Sequence, residues 1–210
     1  MTKMIEILKR SPVIPVMVIE NIEDAIPLAT ALVAGGMEVL EITLRTAIAI
    51  EAVKRIKAAV PNAIVGTGTV IDHHTFQLSK NAGVDFMVSP GMTNNLLQEA
   101  VAEGVNLLPG AATASEAMNL LDAGFDCLKL FPAEAVGGYG LLKALSGPLP
   151  QLTFCPTGGI SMNNAAKYLS LPNVVCVGGS WMLDKQLIKQ KNWQQITRIT
   201  RTICTELGTG

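Results

Sequence analysis

Gly36-Met37-Glu38-Val39-Leu40-Glu41-Ile42, Gly83-Val84-Asp85-Phe86-Met87-Val88-Ser89, Gly104-Val105-Asn106-Leu107-Leu108-Pro109-Gly110 and Gly124-Phe125-Asp126-Cys127-Leu128-Lys129-Leu130 are four copies of one pattern. Each reads glycine, an apolar residue, an acid or Asn, two apolar residues, then a variable position. A helix closed by a left-handed glycine and followed by a buried strand is the αβ half of a βαβ repeat. The last three glycines lie 21 and 20 residues apart. The 47-residue gap after Gly36 holds two units, because residues 63–70 form a further strand-like run.

The rest of the chain extends the repeat in both directions. Residues 13–19 are apolar throughout and mostly β-branched, as suits a parallel strand covered on both faces. Residues 153–157 and 174–177 read as two more strands, which gives eight, starting near residues 13, 39, 63, 86, 106, 127, 153 and 174. Helices fit between and after them at 22–33, 47–59, 75–81, 95–102, 114–122, 139–145, 163–169 and 193–207. In the last, Ile196, Ile199, Ile203 and Leu207 recur at helical spacing. Thr113-Ala114-Ser115-Glu116 reads as a capping box. Eight βα units in 210 residues, with no linker or low-complexity tract, predict an α/β fold formed as a single (β/α)8 TIM barrel, one domain over 1–210. An open doubly wound sheet is the competing architecture, and the even unit length favours closure.

Composition agrees with a large core. The chain is 49% apolar and 16% charged, with mean hydropathy +0.38. Sixteen basic against seventeen acidic residues leave no field that would point to nucleic acid or a membrane surface as partner. No apolar run approaches the roughly 18 residues of a membrane span, and Glu6 interrupts the N-terminal stretch where a signal peptide would lie. Cys127, Cys155, Cys176 and Cys204 are too scattered for a zinc or redox motif and read as reduced, buried thiols of a cytoplasmic protein. His73 and His74 are adjacent, a poor metal pair on a helix, and read as solvated. No metal or cofactor is expected.

The repeat also orients individual side chains. The fifth position after the glycine holds Glu41, Val88, Pro109 and Lys129, which should share one face near the strands' C-terminal ends, where barrel enzymes place their chemistry. Taking an ammonium out of water costs several kcal/mol unless it is paired or neutral, and a neutral amine forms a Schiff base with a ketone. Lys129 is therefore a candidate nucleophile, with a structural ion pair to Glu41 or a snorkelling lysine as the plainer alternatives. A carboxylate beside such an amine, Glu41, can move protons at the reacting carbon. Arg45, at the strand's exit, suits a substrate carboxylate, or is simply a surface residue at a helix start. Gly66-Thr67-Gly68-Thr69 permits close backbone approach to a ligand but also fits an ordinary turn. Thr157-Gly158-Gly159-Ile160-Ser161 and Gly178-Gly179-Ser180 close the seventh and eighth strands, where barrels often bind phosphate.

With these residues placed, the sequence resembles the 2-keto-3-deoxy-6-phosphogluconate (KDPG) and 4-hydroxy-2-oxoglutarate (KHG) aldolase family over nearly its whole length. The resemblance rests on Leu40-Glu41-Ile42-Thr43-Leu44-Arg45-Thr46, Val65-Gly66-Thr67-Gly68-Thr69-Val70, Ser89-Pro90-Gly91, Leu130-Phe131-Pro132-Ala133-Glu134, Phe154-Cys155-Pro156-Thr157-Gly158-Gly159-Ile160 and Gly178-Gly179-Ser180-Trp181. It implies a metal-free class I aldolase, a carbon–carbon lyase of the Entner–Doudoroff pathway, cytoplasmic and homotrimeric, acting on keto-acid and phosphosugar substrates. It implies that Lys129 forms the Schiff base and Glu41 shuttles protons. Arg45 and Thr69 would hold the pyruvyl carboxylate, and Pro90 and Phe131 would wall the pocket. Thr157, Gly158, Gly159 and Ser180 would receive the distal phosphate or carboxylate. Thr67 stands where the family commonly has Ala, and Ala111-Ala112 replace bulkier or hydroxylated residues, with a bearing on substrate choice. The alternatives are a 2-keto-3-deoxy-6-phosphogalactonate aldolase, which differs by a stereocentre that motifs do not read, a non-aldolase barrel that binds a phosphorylated sugar, and a non-catalytic binding protein.

Overall fold

A computed structural model describes residues 3–208. Among these residues are nine parallel strands, with helices between all of them except β5 and β6: β1 (Val13–Met17), β2 (Val39–Thr43), β3 (Ile64–Gly68), β4 (Phe86–Val88), β5 (Leu107–Leu108), β6 (Gly110–Ala111), β7 (Cys127–Leu130), β8 (Thr153–Pro156) and β9 (Val177–Gly179). The helices are α1 (Met4–Leu8), α2 (Ala25–Ala34), α3 (Ala49–Ala59), α4 (His73–Asn81), α5 (Asn94–Glu103), α6 (Ala114–Asp122), α7 (Gly138–Leu145), α8 (Met162–Leu169), α9 (Lys185–Lys189) and α10 (Trp193–Leu207). The strands form a six-stranded sheet, β5-β4-β3-β2-β1-β9, and a three-stranded sheet, β6-β7-β8. This is the expected α/β fold of parallel strands. Isolated bridges Phe154↔Val174 and Thr157↔Gly178 lie between β8 and the stretch that ends in β9.

The glycines act as the pattern requires. Gly36, Gly83, Gly104 and Gly124 have φ of +106°, +66°, +59° and +91°, a region other residues enter only with strain. All five residues of β2 are buried. Alternation then divides them between two layers: Leu40 and Ile42 pack in the large cluster that includes α2 and α3, and Val39 joins an inner cluster with Ile14, Phe86, Val88, Leu108, Cys127, Cys155 and Cys176. Helix α1, absent from the sequence reading, delivers Ile7 and Leu8 to that inner cluster. The two side chains are 2% and 0% exposed, and burying each contributes about 1.5–3 kcal/mol.

Several boundaries differ from expectation for visible reasons. The expected helix over 22–33 divides into a 3-10 turn (Ile22–Asp24) and α2, which begins so that Pro27 falls in the first turn, where its missing N–H costs nothing. Strand β1 ends at Met17, and Val18 beyond it is 41% exposed. The strand expected over 174–177 changes partners along its length: Val175 N–H donates to Phe154 O at 3.2 Å, whereas Val177 to Gly179 pair with β1. Helix α9 also had no counterpart in the sequence reading. The Thr113 capping box is present, with Thr113 accepting from Glu116 N and Glu116 from Thr113 N.

The shared face holds in three copies and fails in the third. Val39, Phe86, Leu108 and Cys127 each lie five residues past the last residue of the preceding helix, and all four belong to the inner cluster. Helix α5 runs one residue closer to its glycine than α2, α4 or α6, so Gly110, not Pro109, stands where Glu41, Val88 and Lys129 stand. Pro109 has no N–H for a ladder, and it divides β5 from β6.

Candidate active site

Glu41 and Lys129 are the only charged side chains among the buried described residues, 4% and 5% exposed. They are 88 positions apart in sequence, and Lys129 Nζ donates to Glu41 Oε1 at 3.3 Å. Two strands bring them together. In β2, Glu41 pairs with Val16 of β1 and Gly66 of β3; in β7, Lys129 pairs with Gly110 of β6 and Cys155 of β8. The ammonium nitrogen also lies 5.2 Å from the centre of the Phe131 ring, within range of a cation–π contact.

Glycines clear the space around this pair. A side chain at Gly68 would run into the Glu41 carboxylate, and one at Gly110 would run into the backbone of Pro90 and Gly91. Pro90 is thus pressed against the strand neighbour of Lys129. The close approach foreseen for Gly66 and Gly68 is therefore made by the protein's own side chains, since Gly66 makes room for the Phe86 ring. The two hydroxyls of that segment part company. Thr67 Oγ1 donates to Ser79 Oγ at 2.8 Å, on the side of α4, whereas Thr69 Oγ1 accepts from Arg45 Nε at 3.3 Å. Thr69 holds φ at +65°, which costs a β-branched residue about 1–3 kcal/mol. Ala111 packs in the outer, helix-side cluster.

The late glycine loop has its carbonyls bound back to the protein. Ala133 N–H donates to Thr157 O at 2.8 Å, Glu134 N–H to Gly158 O at 3.1 Å, and Asn164 Nδ2 to Gly159 O at 3.1 Å. Gly158 and Gly159 hold φ of +102° and +79°. Among the described residues no acceptor takes the N–H of either glycine. Successive unbonded amides of this kind form a ready cradle for an anion. Thr157, 6% exposed, is bridged to Gly178, where a side chain would strike the Thr157 hydroxyl. Ser180 is exposed and shares a cavity of about 700 Å³ with Arg45, Val16, Lys185 and Lys189. Lys129 and Glu41 do not line that cavity, but Val16 is the register partner of Glu41.

The structure thus joins Glu41 and Lys129 in the ion pair that the sequence offered as the plainer alternative, sets Phe131 beside it and brings Arg45 to Thr69. Sequence reasoning missed Gly110, hidden behind the copy that slips by one residue, and Glu134 and Tyr168, which are bonded to each other across 34 positions. His73 lies on the surface against Glu99, 78% exposed. Among the described residues no three His, Cys, Asp or Glu side chains converge as a metal site requires, and no helix is long and apolar enough to cross a membrane.

Residues 4–199 match the family model described as "Aldolase: KDPG and KHG aldolase". The chain belongs to this family. The 2-dehydro-3-deoxy-phosphogluconate aldolase of Pseudomonas aeruginosa is 48% identical over 193 residues, 92% of this chain and 88% of that protein. The KHG/KDPG aldolase of Escherichia coli is 46% identical over 195 residues, 93% of this chain and 92% of its own length. Among solved structures, the KDPG aldolase of Legionella pneumophila, with pyruvate captured at low pH as a covalent carbinolamine intermediate, superposes with a TM-score of 0.94 at 47% identity. It covers 97% of this chain and 98% of its own. The KDPG and KHG aldolases are thus relatives over nearly the full length of this chain.

Proposed function

We infer that the protein is a class I aldolase that cleaves 2-keto-3-deoxy-6-phosphogluconate to pyruvate and glyceraldehyde 3-phosphate, and 4-hydroxy-2-oxoglutarate to pyruvate and glyoxylate. The buried amine of Lys129 at 3.3 Å from the Glu41 carboxylate carries the reading. Lys129 first gives a proton to Glu41; the neutral amine adds to the C2 ketone, and Glu41 passes that proton to the carbinolamine oxygen as it leaves as water. The iminium that results is an electron sink next to the C3–C4 bond. Glu41, or a water it holds, takes the C4 hydroxyl proton, the bond breaks, and the aldehyde departs. The enamine then gains a proton at C3, and water releases pyruvate from Lys129.

In this reading Arg45, held by Thr69, binds the pyruvyl carboxylate with its planar fork. Pro90 and Phe131 wall the reacting end. Thr157, the free amides of Gly158 and Gly159, and Ser180 take the distal anion. Incubation with pyruvate and borohydride should leave one reduced adduct on the Lys129 peptide. Full cleavage activity with that peptide unmodified would overturn the mechanism.

We further read the two sheets as arcs of one closed (β/α)8 barrel and one domain. The bridges at Val174 and Gly178, and the passage of the chain through Pro109 from β5 to β6, support closure. A homotrimer in the cytoplasm fits the family resemblance, and apolar Val101 and Met118, each 54% exposed, offer surface that assembly would cover. Light scattering at three times the 22.2 kDa chain mass tests the trimer.

A further inference from the structure

Glu134 presents a physical problem. Its backbone N–H is bonded to Gly158 O, and its Cβ and Cγ fill the space where a side chain at Gly159 would lie. A carboxylate from the 3-10 turn Glu134–Val136 is thereby packed against the loop that offers amides to a substrate anion, and two negative groups in one site repel. The structure answers with Tyr168 of α8, whose hydroxyl donates to Glu134 Oε1. The Tyr168 side chain is 1% exposed and packs edge-on to Tyr139, ring centres 6.4 Å apart. Burial, and then the hydrogen bond and charge of Glu134, raise the phenol above its ordinary range, so that it stays protonated and able to donate.

We propose that the Tyr168–Glu134 pair is the positioning device of the distal-anion subsite: it pins the Glu134 carboxylate on the helix side and so fixes Gly158 and Gly159 with their amides toward the substrate. Both are positioning residues, since neither is asked to touch the substrate. The proposal rests on Gly158 and Gly159 being that subsite. Without the pair, the carboxylate swings free and the glycines lose their backing, which weakens binding of the distal phosphate and leaves the chemistry at Lys129 intact. A group held out of place by about 1 Å can cost up to 10²-fold.

The test compares wild type with Tyr168→Phe, Glu134→Ala, Glu134→Gln and the Tyr168→Phe/Glu134→Ala double variant. Inorganic phosphate serves as probe of the subsite, and pyruvate, which has no distal anion, as probe of Lys129. Tyr168→Phe and Glu134→Ala should each raise KM for the phosphorylated substrate and the inhibition constant for phosphate about tenfold. Their kcat and rate of pyruvate trapping should stay within about twofold, the double variant should be no worse than either single one, and Glu134→Gln, which still accepts the hydroxyl, should largely rescue KM. Unchanged KM and phosphate inhibition in the single variants would overturn the proposal alone. So would an equal loss of kcat and trapping, the mark of a merely structural role. Wild-type protein that phosphate does not inhibit competitively would remove the subsite itself, and this proposal with it.

Discussion

Gly68 shows how one missing side chain sets the geometry of the buried ion pair. Glu41 occupies the volume that a Cβ at Gly68 would need, so Gly68→Ala must push the carboxylate off its 3.3 Å contact with Lys129. The variant should remain folded, with kcat lower by on the order of 10²-fold and slower pyruvate trapping in a steady-state and borohydride assay. Wild-type kcat would show that the Glu41–Lys129 contact is not needed. The ion pair was legible in the sequence because charge is scarce: two charged residues in otherwise apolar strands stand out. The purpose of Gly68 was not, because the group it accommodates lies 27 positions away on another strand. Cysteine chemistry follows from burial at the same scale. Burial first, then the neighbouring Asp126 carboxylate, pushes the Cys127 thiol up to about 12. Hydrogen bonding with the free Cys155 thiol, and then burial, raise the Cys176 thiol as well. The thiolate is the reactive form, so at pH 8 iodoacetamide should leave both unlabelled in native protein and label both in urea, as read by peptide mass mapping.

At the scale of elements, the repeat was readable because it recurs, and it misled where it was counted from the wrong landmark. Counted from the glycine, the third copy places Pro109 beside Lys129; counted from the last helical residue, it places Gly110 there. Since strand side chains alternate, a one-residue error reverses the face. Only the end of α5 reveals it, and helix ends are set by capping geometry that sequence pattern locates to within a residue or two. Where the cap has its own chemistry the sequence was sufficient. Thr113 and Glu116 exchange hydrogen bonds across the first turn of α6 as their spacing requires. Thr113→Ala should therefore cost about 1 kcal/mol of unfolding free energy in urea, with kcat unchanged, since α6 contributes none of the residues proposed for catalysis.

For the whole molecule, the inner face of the strands has two ends with different contents. Towards the strand C-termini it carries Glu41 and Lys129; the inner cluster around Cys127, Cys155 and Cys176 is apolar and takes in Ile7 and Leu8 from α1. Eight units were countable from the sequence, but α1 was not, because five residues are too few for a helical period to be seen. In the proposed closed barrel α1 would plug one end of the ring, and that role is encoded by no single segment. A low dielectric around the ion pair depends on keeping water out of that interior, so α1 should act on both stability and chemistry. Leu8 is fully buried, and Leu8→Ala should cost about 2–5 kcal/mol by urea denaturation, according to how far the cavity collapses. If α1 is a stopper, backbone amides of β7 and β1 should also exchange hydrogen faster in the variant, and pyruvate trapping at Lys129 should slow. A cost below about 0.5 kcal/mol, the range of an ordinary surface substitution, would mean that α1 merely rests against the strand ends and that the interior is sealed by its own side chains.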